Sequence, residues 1–211
     1  MTVTVSPIHL LAVASQQAVA AELWDAITEQ QLADWEAEWT PELFKALQRL
    51  HRAGVARRQW PQNRHWDWRR KATELQGMLA YPAFSIVCDG VTQGMMIVDA
   101  TTKRCRIDGQ RGKHLVYVEF LEAAPWNRPE LVTPPRYRGI GSVLIRSAIA
   151  LSEQEEFKGR IGLHSLPQAN SFYANTCGMT DLGIDPNYEG LRYFEMTQEQ
   201  AEAFVAKGGQ P

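Results

Sequence analysis

Two arginines and two glycines crowd into six positions, Arg136-Tyr137-Arg138-Gly139-Ile140-Gly141, directly ahead of an apolar run. Glycine at 139 and 141 opens backbone conformations closed to other residues and lets a ligand come close. Val143, Leu144, Ala148 and Leu151 then fall three and four apart, and Lys158-Gly159 supplies a basic end and a stop, so residues 142–157 are predicted as an amphipathic helix. The first amides of such a helix lack partners within it, and its summed peptide dipoles place roughly half a positive charge there. Phosphate binding is the chemistry this suits. A P-loop would need lysine after its second glycine, and a dinucleotide fingerprint would need glycine or alanine where Leu144 stands, so neither applies. What remains is R-x-x-G-x-G, against the plainer reading of a glycine turn before an ordinary helix.

The elements that must position this turn are legible along the chain. From residue 84 onward "FSIVCDG", "GMMIVDA" and "HLVYVEFLEAA" are short, rich in β-branched and aromatic residues, and divided by Gly-bearing turns, which predicts consecutive antiparallel strands. The helix of 142–157 follows, then "RIGLHSL" as a strand, "QANSFYANTCGM" as a helix and "LRYFEM" as a last strand. Ahead of residue 84 the spacing predicts one short strand, "TVTVSPI", and then helices, the second opened by Thr40-Pro41 as N-cap and N1 and stopped by Gly54. The result is a mixed α/β sheet with flanking helices and a mostly helical front.

Composition sets the outer limits. With 211 residues, 45% hydrophobic and 22% charged, the chain is expected to form one soluble globular domain, and a formal net charge of −2 argues against a generally nucleic-acid-binding surface. Three cysteines in no metal-binding or paired spacing support neither a disulfide framework nor a metal site and point to a reducing, cytoplasmic setting. "IHLLAVASQQAVAA", residues 8–21, has no basic residue before it and is broken by Gln16-Gln17, so it is not expected to be a secretory segment; no run is long enough to span a membrane.

R-x-x-G-x-G before a helix, in this order of elements, resembles the pyrophosphate loop of the GNAT superfamily of acetyl-CoA-dependent N-acetyltransferases, whose pattern is Q/R-x-x-G-x-G/A. "ANSFYANTCGM" is similar to that superfamily's A-x-x-x-Y-x-x-x-x-G-F segment, with Ala169, Tyr173, Gly178 and Met179 in the matching places and Met for Phe. The motifs cover residues 84–196; residues 1–83 agree only in element order. The ten residues "WNRPELVTPP" ahead of the loop depart from the shorter connection of many members. The resemblance implies a single GNAT-like domain over 1–211, a mixed, mostly antiparallel sheet, and acetyl-CoA as co-substrate without a metal.

The same resemblance implies the site residues. Arg136, Arg138, Gly139, Ile140, Gly141 and Ser142 would hold the pyrophosphate. Leu121, Ala123 and Ala124, at the bulge of the family's fourth strand, would pair with the pantetheine arm, and Asn170 would bond the pantetheine or the adenosine end. Glu119 or Glu122 would be the general base. Being three apart they face opposite sides of a regular strand, and counting back from Leu121 instead of Ala123 puts Tyr117 in the base's place. Tyr173 would protonate the leaving thiolate, and His164, Trp66 and Asp67 would face the acceptor. Each has a plain alternative: a solvated strand glutamate, a core tyrosine, a capping asparagine, a packed histidine, tryptophans filling core.

The expected partner is an amine-bearing acceptor, small molecule or protein, with a homodimer compatible. A second reading is a GNAT-fold module that binds CoA or a partner without catalysis. The arginine- and tryptophan-bearing "RRQWPQNRHWDWRRK" suits nucleic acid. Its acidic neighbour, with seven Asp and Glu between Glu22 and Glu42, ranks ahead as its partner.

Overall fold

A computed structural model describes residues 2–75 and 78–208. Nine strands form one mixed, mostly antiparallel sheet in the order β6-β1-β2-β3-β4-β5-β7-β9-β8: β1 Val5–Ala12, β2 Gln17–Trp24, β3 Ala83–Cys88, β4 Val91–Asp99, β5 Val116–Ala123, β6 Tyr137–Arg138, β7 Ile161–Ser165, β8 Thr180–Asp185 and β9 Leu191–Met196. The helices are α1 Glu29–Asp34, α2 Thr40–Arg52, α3 Trp68–Leu75, α4 Ile140–Gln154 and α5 Gln198–Lys207. By backbone proximity the chain divides into two compact units. The first takes residues 1–78, 83–96 and 121–141; the second takes 79–82, 97–120 and 142–211.

In the first unit, the front differs from the expected single strand. β1 and β2 form an antiparallel hairpin, Val5↔Trp24 to Ala12↔Gln17, so residues 8–21 are mostly strand. Its turn carries no glycine; Gln16 adopts the left-handed conformation itself, at φ 55. Thr40-Pro41 does not start a helix either. Thr28 is the N-cap, bonded reciprocally with Gln31, and the helix then runs through α1 and a π-turn, Trp35–Trp39, into α2. Proline has no N–H to give the turn before it. The wider turn relieves this: the Thr40 hydroxyl donates to Trp35 O at 3.0 Å. Trp39, fully buried, donates from Nε1 to Thr92 O at 2.8 Å, and Asp34 accepts from Thr92 N and Oγ1, which docks the helical run on β4.

In the second unit, β7 pairs in parallel with β5 and antiparallel with β9, and β9 pairs with β8, whose register shifts between Asp181 and Ile184. A Cβ at Gly162 would stand 2.6 Å from the Tyr193 hydroxyl, so only glycine lets that ring cross β7. Buried Glu195 accepts from Arg106 N, Ile107 N, Gln110 Nε2 and the Tyr193 hydroxyl, and this pins the 104–110 segment to β9. α5 opens on a Thr197–Gln200 capping box.

Candidate active site

The glycine turn stands on a polar scaffold within the first unit. Gln93 Oε1 accepts from Trp126 Nε1 at 2.8 Å and Asn127 Nδ2 at 2.9 Å. Asn127 Oδ1 in turn accepts from Tyr137 N at 2.9 Å, and Arg136 N donates to Trp126 O at 2.9 Å. The "WNRPELVTPP" segment is thus the anchor that holds β6 against β1, with Leu11↔Arg138 and Ala12↔Tyr137 paired. Gly139 follows at φ 98, while the nearest atom to a Cβ there would be Leu10 Cδ2 at 3.9 Å, so the backbone angle and not crowding calls for glycine. α4 begins at the next residue, buried Ile140. Arg136 and Arg138 are exposed, and Gly141 and Ser142 are partly so. An anchored turn, two exposed guanidiniums and the free amides of a helix start fit a pyrophosphate.

The two strand glutamates have opposite surroundings. Glu122, in the first unit, is buried: Oε1 accepts from Asn63 Nδ2 at 2.5 Å and Arg128 Nη1 at 3.0 Å, and Oε2 from Trp68 Nε1 at 2.6 Å. Arg128 Nη2 also reaches Asn63 Oδ1 at 2.9 Å. Burial raises the Glu122 carboxyl above the ordinary range, against the pull of Arg128 and Trp68. Both oxygens are engaged. Leu121 and Ala123 are partly exposed, whereas Ala124 is buried and gives its amide to Gln93 O at 2.9 Å.

Glu119 is half-buried on the other face of β5, the face of Tyr117, in the second unit. There a chain of polar side chains assembles. The Tyr117 hydroxyl and His164 Nδ1 lie 2.6 Å apart, and His164 Nε2 is 3.1 Å from Asp185 Oδ2. Asp185 Oδ2 also accepts from Arg106 Nη1 at 2.5 Å, and Oδ1 from Asn187 N at 2.9 Å. The Tyr188 ring stacks on His164 at 3.8 Å between centroids. The bonds from Arg106 and His164 hold Asp185 down at about 2. Burial keeps His164 below the usual imidazole range, and keeps Tyr117 above the usual phenol range. Asp185 and Tyr188 also line a cleft of about 350 Å³ with Arg106, Ile184 and Tyr193. The register of β5 with β7 runs from Val116↔Ile161 to Val118↔Leu163, yet both strands continue beyond it.

Tyr173 sits in a π-turn, Phe172–Thr176, where an ordinary helix was expected. Its ring packs 6.0 Å from that of Phe194, burial holds the phenol protonated well above neutral pH, and no described residue hydrogen-bonds the hydroxyl. Asn170 Oδ1 is buried and has no partner among the described residues, which fits a site for a donor such as a pantetheine amide. Cys177 is buried, and burial pushes its thiol up to about 12, which disfavours the thiolate a nucleophile needs.

Trp66 and Asp67 lie in the first unit. Asp67 Oδ1 accepts from Arg70 N at 2.9 Å at the start of α3. The Trp66 ring meets Trp68 edge-on and carries the Lys71 ammonium 4.8 Å from its centre. The basic segment does meet the acidic one: Arg69 binds Glu29 and Glu36. Arg106, Asp185 and Tyr188 were not singled out from sequence; the only signal available was their closeness in the chain to predicted strands.

No protein-family model matches the chain, and neither does any curated protein. Solved structures do. RimJ of Mycobacterium smegmatis, in complex with CoA-disulfide, is 18% identical with a TM-score of 0.52 over 98% of this chain and 95% of its own. An acetyltransferase of the GNAT family from Listeria monocytogenes is 12% identical with a TM-score of 0.52 over 90% of this chain and 99% of its own. The chain has the GNAT fold. Counting the front hairpin as one strand and leaving out the two-residue β6, β5 is the fourth strand in order and β7 the fifth. Among the described residues no helix is long and apolar enough to cross a membrane, and no group of His, Cys, Asp and Glu is placed to hold a metal.

Proposed function

We propose that the chain, acting as one domain in the reducing cytoplasm, is an N-acetyltransferase that moves the acetyl group of acetyl-CoA to a primary amine by direct attack. When bound, acetyl-CoA supplies a thioester carbonyl open to an amine. Arg136, Arg138 and the amides of Gly139 to Ser142 hold its pyrophosphate. In the first unit Leu121 and Ala123 offer their backbone to the pantetheine arm; in the second, Asn170 offers the arm an acceptor in its unpartnered oxygen. Glu119, half-buried on the Tyr117 face of β5, is the base in this reading, and Glu122, bonded to Asn63, Trp68 and Arg128, is structural. Glu119 takes the amine proton at its carboxylate, and Tyr173 gives its hydroxyl proton to the departing sulfur. His164 lies beneath the acceptor side through Tyr117. The observation that carries the reading is the Gly139 turn, at φ 98, opening directly into the fifteen-residue α4.

A panel of amines, amino acids and lysine peptides incubated with acetyl-CoA, and followed by release of free thiol, tests it. Acceptor-dependent thiol is the expected result. Tight acetyl-CoA binding with no thiol released for any amine would favour the module that binds without catalysis.

A further inference from the structure

Within the second unit one amine of the chain itself lies over the ring of Tyr117, on the strand face of the proposed base. Lys103, between β4 and β5, places Nζ 5.0 Å from the centre of the Tyr117 ring and 5.2 Å from that of Tyr188. It donates to the Tyr188 hydroxyl at 2.5 Å. Tyr117 and Glu119 leave the same face of β5, and the charges of Glu119 and Asp99 act on the ammonium. Two aromatic faces with carboxylates nearby are a receptor for a primary ammonium. No other described lysine combines these. Lys45 pairs with Glu42 at the surface, Lys113, Lys158 and Lys207 are exposed, and Lys71, over Trp66, faces Glu122, whose oxygens are taken.

We propose that Lys103 is an acetylation site served by the chain's own active centre, an internal lysine standing where an acceptor amine is received. Nζ forms the amide bond to the acetyl carbon as the carbon–sulfur bond of acetyl-CoA breaks. One ammonium proton passes to Glu119; the second, shed by the nitrogen as the amide forms, passes to solvent, from which the phenolate left when Tyr173 protonates the departing sulfur regains its proton. The inference rests on the acetyltransferase reading and on Glu119 as its base. Tied to Tyr188 and held as an ammonium, Lys103 reacts more slowly than a free acceptor, and its acetylation removes a cation from the receptor.

The test is to incubate the full chain with acetyl-CoA and no added amine, digest it, and locate acetyl groups by mass spectrometry. Acetyl-Lys103 is expected, with a rate constant that does not change with protein concentration, because the reaction is internal. Glu119→Gln and, independently, Tyr173→Phe should each slow it at least about tenfold. Two variants are used so that one failing to fold does not decide the matter. Exposed Lys207, open only to slow chemical acetylation, should label equally in all three chains. Unmodified Lys103 in a preparation that acetylates an external amine would overturn the inference and leave the acetyltransferase reading intact. Labelling of Lys103 at the same rate in folded Glu119→Gln would overturn it as ordinary chemical modification. A chain that neither binds acetyl-CoA nor acetylates any amine would overturn both.

Discussion

His164 Nδ1 lies 2.6 Å from the Tyr117 hydroxyl oxygen. The direction of this bond follows from the other side of the ring. Asp185 is ionised and can only accept, so Nε2 carries the proton and donates to Oδ2. Nδ1 is then a lone pair, and the Tyr117 O–H donates to it. In isotope-labelled protein the His164 ring should show the Nε2–H neutral tautomer throughout the assay range; an Nδ1–H signal would reverse the direction of the whole chain of bonds.

The same cluster sets a two-stage response to acid. Burial lowers the His164 pKa in the fold, with Asp185 opposing, so as pH falls through about 6.5 the unfolded chain binds a proton that the native protein does not, and stability drops. Asp185, depressed to about 2, contributes stability that is intact above 3.8 and disappears only as pH falls toward 2. Melting temperature followed against pH should therefore fall in two steps. His164→Asn should remove the upper one, and Asp185→Asn should shrink the lower, to which Glu29, Glu36, Asp99 and Glu199, also held below the ordinary carboxylate range, contribute.

Gly139→Val forces a β-branched side chain onto a φ of 98, a strain of ~1–3 kcal/mol, and turns the loop away from any pyrophosphate. Calorimetry should show acetyl-CoA binding abolished while circular dichroism stays near that of the parent. Unimpaired binding would remove the cradle from the account.

The two glutamates should part in opposite ways. Glu119→Gln should erase the acidic limb of the pH–rate profile. Glu122→Gln leaves buried Arg128 with Glu130 as its remaining carboxylate, and losing one partner of a buried pair costs up to ~3–5 kcal/mol. A large fall in melting temperature, with the acidic limb retained in the folded fraction, is the expected signature.

Tyr173→Phe removes a hydroxyl that bonds no described residue, so melting should hold. Loss of a general acid nevertheless lowers kcat at least about tenfold, with little change in acetyl-CoA affinity. An unchanged kcat would place the proton donor elsewhere.

What could be read from the sequence alone was local. The Arg136–Gly141 turn and its helix depend on glycine and on three-and-four spacing. The strands β3, β4, β5, β7 and β9 stand out by β-branched and aromatic runs between turn residues. The misses were local features without a local signal: a hairpin whose turn uses Gln16 where glycine is usual, a helix carried through Pro41 by a π-turn, and polar β8. The site needed the tertiary structure. Alternation puts Glu119 and Glu122 on opposite faces of β5 but does not say which face is which. Asn63, Trp68 and Arg128, the first two brought from 59 and 54 residues away, claim Glu122. Tyr117, His164 and Asp185 meet across 47 and 21 residues through the register of strands, which no short-range pattern encodes. Sequence offered two candidate bases on opposite faces; only the long-range pairing shows that Glu122 is bound up with Asn63, Trp68 and Arg128.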